Sequence, residues 1–463
     1  MSSSPPSVTR VALLLGTLVA LTVIGSSAVA VALPEVAADL GLDKPGTAWV
    51  LAVFSLAFSV TTAVFGRLAD LKGLRFPLVL GVGLLAAGSV LAAVAWSFPS
   101  LMFARMVQGA GAGAVPVLAL GVIAARYEGV ARGRALGGLT AVVSLVSGSG
   151  PLIGGGITQL LGWRFVLAVP AIALLILMPV ARLASDRPTA QGRIDWRGAG
   201  LVGLLTSGVV LLLQSPATRA GPLLVIAAAA AGLLGAGGLW HHVRQRPEGL
   251  LPRRVVADVN VMVTALAGMT LLAAYFGMIL ALPLILSAEQ GWTPLQIGSA
   301  MLPAALVGAV SSRVVGGSAQ RLGRHRVAAW LAAGSGAGLL LAAAGHAEPI
   351  LLIVGFAAVV TGFAAGQVPL VDSIAAMVDP DVQGGALGVF NLTFFTGGAV
   401  GSAIIGGIGG ATSLPLALAC LALLPLAGAA GAVSIGRRLR HAARPGDAEP
   451  QDHGYAGGLH HQA

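Results

Sequence analysis

Long apolar stretches separated by short charged segments run the length of this 463-residue chain. Most of the stretches contain about 20 residues or more, the length that a helix needs to cross the hydrocarbon core of a bilayer. The pattern predicts an all-α polytopic membrane protein with 14 transmembrane helices, at about residues 11–33, 47–66, 77–97, 100–125, 135–161, 164–183, 198–214, 221–241, 261–286, 295–317, 327–345, 349–372, 384–409 and 412–436.

Composition agrees with a membrane protein. The chain is 56% hydrophobic and 10% charged, against about 25% charged in soluble proteins. Its net charge of +10 comes from arginines scattered singly between apolar runs, which does not indicate nucleic-acid binding. A single cysteine, Cys420, excludes a disulfide framework. The first run is longer than the apolar segment of a typical signal peptide, so we expect an uncleaved first helix.

Basic residues fall almost entirely on one set of alternate connections. Lys44, Arg164 and Arg219 are the exceptions on the opposite set, and the connection 379–383 is acidic instead of basic. Because basic loops remain on the cytoplasmic side, we expect a cytoplasmic-membrane protein with both termini in the cytoplasm.

The fifth run contains a glycine-rich string, Gly-Ser-Gly-Pro-Leu-Ile-Gly-Gly-Gly, at 148–156. Neighbouring helices tolerate such breakers in a membrane, and small residues allow close approach, so we predict a helix bent at Pro151. The string resembles the fifth-helix antiporter motif of major facilitator superfamily drug exporters, and residues 162–165 resemble the start of their sixth helix. The alternative is generic small-residue packing. The resemblance implies a dry seam between two halves, formed by Gly148, Gly150, Pro151, Gly154 and Gly155.

The seventh and eighth runs lie where twelve-helix members of that superfamily have a long loop. The resulting 6+2+6 plan resembles the fourteen-helix drug:proton antiporters. We therefore expect a major facilitator fold with an N-terminal six-helix bundle at 1–190, a two-helix insertion with basic flanks at 191–257, a C-terminal six-helix bundle at 258–436 and a disordered cytoplasmic tail at 437–463.

Residues 66–75, Gly-Arg-Leu-Ala-Asp-Leu-Lys-Gly-Leu-Arg, resemble the superfamily's signature loop between helices 2 and 3. Leu71 departs from the arginine that many members carry. An ordinary basic loop is the alternative reading. The resemblance implies a conformational latch that involves Gly66, Asp70, Gly73 and Arg75.

Arg105 lies inside the fourth run, where a charge costs about 2.5–3.5 kcal/mol on insertion scales. Residues 105–116 resemble the family's helix-4 motif, which implies proton transfer by the arginine and packing of a Gln–Gly face on helix 1. The alternative is that Arg105 snorkels to the nearby interface.

Proton coupling requires a titratable group that reaches the cavity. The related exporters carry an acid in helix 1, and Gram-positive tetracycline exporters carry a glutamate in helix 13. This chain has Gly25-Ser26-Ser27 and Gly398 in those places. Of its 17 acidic residues, only Asp372 falls within a run, so Asp372 joins Arg105 as a coupling candidate. A charge at the inner helix end is the alternative for Asp372.

The other polar residues of the runs predict a mostly apolar cavity, which suits a small lipophilic substrate. Its predicted lining is Ser26, Gln108, Gln367, Asn391 and Thr393, with Ser27, Asn260, Thr270, Tyr275 and Thr396 beside them.

The resemblance implies export of a lipophilic drug, antibiotic or natural product by proton antiport with alternating access. Same-fold metabolite uptake, uncoupled facilitation, and a non-transporting scaffold or sensor are the alternatives. The sequence contains no phosphate-binding loop and no enzyme constellation. We expect no catalytic residue, metal, cofactor, ATP or nucleic acid, a proton gradient as the energy source, and a monomer surrounded by membrane lipids.

Overall fold

Fourteen long helices follow the predicted apolar runs in the computed structural model, which describes residues 7–188, 194–218, 221–246, 249, 251–379 and 382–442. Thirteen are long and apolar enough to span a membrane by themselves, and α5, with 33 residues, is the remaining one. The helices are α1 (Val8–Leu40), α2 (Lys44–Lys72), α3 (Arg75–Ala93), α4 (Phe98–Arg126), α5 (Gly129–Leu161), α6 (Trp163–Ala181), α7 (Trp196–Thr218), α8 (Pro222–Gln245), α9 (Val259–Gln290), α10 (Pro294–Leu322), α11 (Arg324–Ala344), α12 (Pro349–Met377), α13 (Gln383–Ala411) and α14 (Leu414–Ala442).

A side-chain cap begins α2, and prolines inside α5 and α6 have different effects on the two helices. The Asp43 side chain caps α2 by accepting from the amide of Gly46, as side-chain oxygens do at helix N-termini. At Pro170, α6 passes through a 3-10 turn, whereas α5 continues as one helix through Pro151. The tail predicted from residue 437 is helical as far as Ala442, and residues 443–463 lie outside the described part.

The two six-helix halves repeat one packing scheme. In the first half α1 packs on α5, α2 on α4, and α3 on α4; in the second, α9 packs on α13, α10 on α12, and α11 on α12. The halves meet along α2–α13 and α5–α10, which are equivalent pairs under that repeat. Such internal repeats are usual in secondary transporters. The inserted helix α7 packs on α13 and α2, and α8 packs on α7.

The halves touch at one end of the bundle, and at the other end three glycines of α5 and α13 have open space beside them. We define the closed end as the one at which the halves touch; its connections include 41–43, 291–293 and 412–413. There a Cβ on Gly155 would lie 2.2 Å from the Pro294 carbonyl oxygen, and one on Gly406 would lie 2.4 Å from the Ala48 Cβ. At the opposite, open end, a Cβ on Gly137 of α5 would meet nothing within 4 Å. The same holds for Gly384 and Gly388 of α13.

Candidate functional site

Arg105 is fully buried inside the first half of the protein. Its Nε donates to the Val50 carbonyl oxygen at 3.0 Å, and its Nη1 donates to the Gly25 carbonyl oxygen at 2.9 Å and to Gln108 Oε1. The guanidinium lies 4.3 Å from the centre of the Phe54 ring. Arg105 therefore ties α4 to α1 and α2, and its complete burial rules out snorkelling in this conformation.

Gln108 was predicted to line the cavity, but it is fully buried within the first half. Its Nε2 donates to Ser89 Oγ of α3 at 2.8 Å and to the Leu167 carbonyl oxygen of α6 at 3.2 Å. Together, Arg105 and Gln108 join five of the six helices of this half. We call this pair and its partners the Arg105 cluster.

The glycines of α4 pack on α2 and α3. A Cβ on Gly109 would lie 2.4 Å from the Phe54 carbonyl oxygen in α2. One on Gly111 would lie 2.1 Å from the Leu85 amide nitrogen in α3. The expected packing of this Gly face on α1 is therefore corrected.

The charge of Arg105 is balanced without a carboxylate in the part of the chain that the structure describes. Every Asp and Glu of that part lies in a connection or in the terminal two turns of a helix, and Arg105 Nη2 has no hydrogen-bond partner there. The carbonyl dipoles of Gly25 and Val50, the Gln108 amide oxygen and the Phe54 ring take the place of a counter-ion.

Asp372 lies near the open end, within the last two turns of α12. Its side chain is exposed, and its backbone carbonyl accepts a hydrogen bond from Arg324 Nη1 at 3.1 Å. In this conformation Asp372 is thus separated from the Arg105 cluster, which is enclosed in the other half.

The α5 motif lies between α1 and α10. A Cβ on Gly150 would lie 2.3 Å from Ser27 Oγ, and one on Gly154 would lie 2.5 Å from the Ala28 carbonyl oxygen, both in α1. On the other side, Gly155 meets Pro294, and a Cβ on Gly298 of α10 would lie 2.3 Å from the Pro151 carbonyl oxygen. The surroundings of Gly148 are outside the described part. Helix α5 therefore joins the two halves at the closed end.

Aromatic side chains connect the halves at mid-depth. The rings of Phe58 in α2 and Phe395 in α13 are 4.4 Å apart. Tyr275 of α9 stacks on Phe363 of α12 at 4.5 Å, and Phe394 bridges Phe363 and Phe395 at 6.2 and 5.3 Å. We call these five residues the aromatic face. The four phenylalanines were not predicted from the sequence. One signal was present for Phe58, because its spacing from Phe54 places both on one side of α2.

Ser59 adds a polar contact beside the aromatic face. Its hydroxyl donates to the Leu392 carbonyl oxygen at 2.9 Å and lies 2.9 Å from Thr396 Oγ1. This contact joins α2 to α13, so the predicted residue Thr396 lies at the junction of the two halves.

Two predicted cavity residues lie next to the aromatic face. Gln367 is half-buried, four residues after Phe363, and Asn391 is half-buried, four residues before Phe395. Thr393 is two residues from Asn391, which is about 200° around a helix. Thr393 therefore does not share the side of α13 that Asn391 presents, and its place in the cavity stays a prediction.

The other polar candidates are engaged elsewhere. Ser26 Oγ donates to the Val23 carbonyl oxygen and Thr270 Oγ1 to that of Ala267, each within its own helix. Asn260 lines a pocket of about 760 Å³ at the open end, together with Arg324 and Ser373.

The latch segment is docked on the chain that follows α6. Gly73 has φ of +77°, and a Cβ there would lie 2.6 Å from the Asp186 carbonyl carbon. Arg75 Nη1 is 3.2 Å from Asp186 Oδ2, and the Leu74 amide donates to the Ser185 carbonyl oxygen at 2.7 Å. These contacts stay within the first half.

The other two latch residues, Gly66 and Asp70, have neighbours within the first half. A Cβ on Gly66 would meet only Val117 Cγ2, at 3.6 Å, which is an ordinary contact. Asp70 lies 3.9 Å from Arg67 Nη1.

We expect Gly73→Ala to lower the thermal stability of the purified protein. Alanine would have to adopt a strained backbone at positive φ, which costs about 1–3 kcal/mol, and its Cβ would collide with the Asp186 backbone. Gly83→Ala is the matched control, because nothing lies within 4 Å of a Cβ there and alanine favours a helix. Equal melting temperatures for the two variants would contradict this account of the loop.

Comparison with known proteins agrees with the fold. The family model described as Major Facilitator Superfamily matches residues 15–243 and 264–456. Among solved structures, a POT family transporter in complex with a thioalcohol-conjugated peptide superposes with a TM-score of 0.72, at 14% identity over 93% of this chain and 96% of that one. A bacterial homolog of the human lysosomal transporter Spinster, in an inward-facing and unoccupied conformation, gives 0.65 at 14% identity over 95% and 99%.

Curated relatives cover most of the chain. Cephamycin export protein CmcT of Amycolatopsis lactamdurans is 33% identical over 83% of this chain and 82% of its own length. Puromycin resistance protein pur8 of Streptomyces alboniger is 32% identical over 86% and 81%. Multidrug resistance protein Stp of Mycobacterium tuberculosis (strain ATCC 25618 / H37Rv) is 28% identical over 82% and 71%. With the family match and the repeated six-helix packing, they establish that this chain belongs to the Major Facilitator Superfamily.

Proposed function

We propose that this protein exports a small lipophilic drug, antibiotic or natural product by alternating access. The observation that carries the proposal is the mid-depth aromatic face at the junction of two repeated halves, which also meet at the closed end. A mostly apolar site with a few half-buried amides suits a lipophilic, neutral or weakly charged molecule. The names of the curated relatives, for multidrug resistance, cephamycin export and puromycin resistance, point to the same substrate class.

We infer that the closed end faces outward. The connections of the open end carry most of the basic residues, and basic connections stay in the cytoplasm. The conformation is then inward-open, with both termini on the cytoplasmic side of the cell membrane. Substrate would reach the aromatic face from the cytoplasm and leave after the seam at Gly155 and Gly298 has opened.

We further propose that proton exchange drives the export. Arg105 is a buried cation among carbonyl groups, and ionisable groups inside the membrane are functional candidates by default. Uncoupled facilitation is the second candidate, and one observation favours it: the described membrane interior holds no carboxylate. The two mechanisms differ in their response to a collapsed proton gradient.

Transport into inverted vesicles distinguishes the two mechanisms. We expect vesicles containing the wild-type protein to accumulate a lipophilic dye or antibiotic when energised, and a protonophore to abolish that accumulation. Transport that continues down the substrate gradient with the protonophore present would assign the protein to the facilitators. Absence of transport across a panel of lipophilic compounds, with folded protein present, would contradict the proposed substrate class.

The Asp372→Asn variant tests Asp372, the second coupling candidate. Its side chain is exposed at the open end, so we expect protonophore-sensitive accumulation to persist in this variant.

A further inference from the structure

A groove between α7 and α8 lies apart from the transport path. The two helices touch where a Cβ on Gly208 would lie 2.4 Å from the Gly232 amide nitrogen. Toward the first turn of α7 they stay in contact, since a Cβ on Gly238 would lie 2.7 Å from Leu201 Cδ2, but beside this contact nothing lies within 4 Å of a Cβ on Gly200. The resulting groove has a volume of about 410 Å³. Its lining includes Trp196, Arg197, Gly200, Leu204, Gly238 and His241.

The mouth of the groove is basic. Helices α7 and α8 contain no Asp or Glu, while Arg197, Arg244 and Arg246 are exposed at this end. The adjacent carboxylate, Asp195, has both oxygens 2.8 Å from His242 Nε2 and accepts from the Gly198 amide. Its negative charge is therefore already engaged, and the mouth attracts an anion.

The groove faces the lipid. In the hydrophobic span of α8 only 17% of the residues are buried in the protein. Trp196 and Trp240 are 65% and 64% exposed at the mouth, and the Arg244 guanidinium lies 4.3 Å from the Trp240 ring centre. Exposed tryptophans mark the headgroup level of a bilayer, so the groove runs from that level into the hydrocarbon region.

We propose that this groove binds one anionic phospholipid of the surrounding membrane. The phosphate lies at the mouth beside Arg197 and His241, where a guanidinium forms paired hydrogen bonds to phosphate oxygens. An acyl chain lies along Gly200, Leu204 and Gly238. Basic pockets between membrane helices bind anionic headgroups on the same grounds.

Native mass spectrometry of the purified protein tests this site. We expect titration with phosphatidylglycerol to give one tightly bound lipid per chain, with phosphatidylcholine binding more weakly. The Arg197→Gln variant should weaken phosphatidylglycerol binding by about fivefold. Arg253→Gln removes an exposed arginine at the same end but outside the groove, and should leave the tight binding intact.

Filling the groove tests shape independently of charge. We expect Gly200→Leu to displace the bound lipid. Gly203→Leu should leave the lipid in place, because Gly203 also has nothing within 4 Å of a Cβ but lies outside the groove. Equal binding of the two lipids, or equal losses in the Arg197→Gln and Arg253→Gln variants, would overturn the proposal. So would a concentration-dependent dimer abolished by Gly200→Leu, since the groove would then hold a second copy of this chain.

Discussion

We expect Arg105→Met to fold and to export at less than about a tenth of the wild-type rate. Methionine fills much of the same volume and removes a charge that costs about 2.5–3.5 kcal/mol to place at the helix centre, so the melting temperature should change little. The hydrogen bonds to the Gly25 and Val50 carbonyl oxygens are lost. Charged hydrogen bonds contribute about 1.5–3 kcal/mol each, and 1.4 kcal/mol corresponds to a factor of ten in a conformational equilibrium.

Efflux rate and thermal unfolding, measured on the same preparations, separate a transport role from a packing role. Arg105→Lys retains the charge without the planar fork and should also transport poorly, because one ammonium cannot reproduce the geometry toward both α1 and α2. Met106→Ala, at the neighbouring and half-exposed position of α4, is the control and should export normally. Wild-type export by Arg105→Met would show that the arginine serves only to pack the helices.

The helices were predictable because the bilayer imposes a length and a composition on each of them. Twenty apolar residues between charged connections leave few alternatives, so even the two-helix insertion followed from the pattern. Arg105 was predictable as a functional candidate by the same logic, since a charge inside an apolar run is costly.

Partners that come from distant helices were not predictable. Gln108 is polar, as a cavity residue would be. Its burial becomes evident only from its hydrogen bonds to Ser89 and Leu167, which lie on other helices. Gly73 was singled out by its motif, but its partner Asp186 lies in a different connection. Which side of α13 meets the first half is known only once Phe395 is seen to contact Phe58. In each case the missing information was which distant segment meets the residue.

The seam at the closed end gives the second large effect that we expect. Gly155→Val should shift the protein away from the conformation described here, because its Cβ would lie 2.2 Å from the Pro294 carbonyl oxygen. Overpacking costs about 1–3 kcal/mol. That cost applies only to the state in which this end is closed, so the equilibrium should move by about 5–150-fold toward the opposite state.

Distances between spin labels at Ala38 and Ala288, exposed residues of the two halves at the closed end, measure this shift when Cys420 is replaced by alanine. We expect Gly155→Val to lengthen the distance and to reduce export, and Gly298→Val to do the same from the α10 side, where the clash is with Pro151 at 2.3 Å. Gly156→Val is the matched control, since its Cβ would meet only Leu295 Cδ1 at 3.9 Å. A seam that must open and close during each cycle requires Gly155 and tolerates valine at Gly156. Wild-type distances and export in Gly155→Val would mean that closure of this end is not a step in transport.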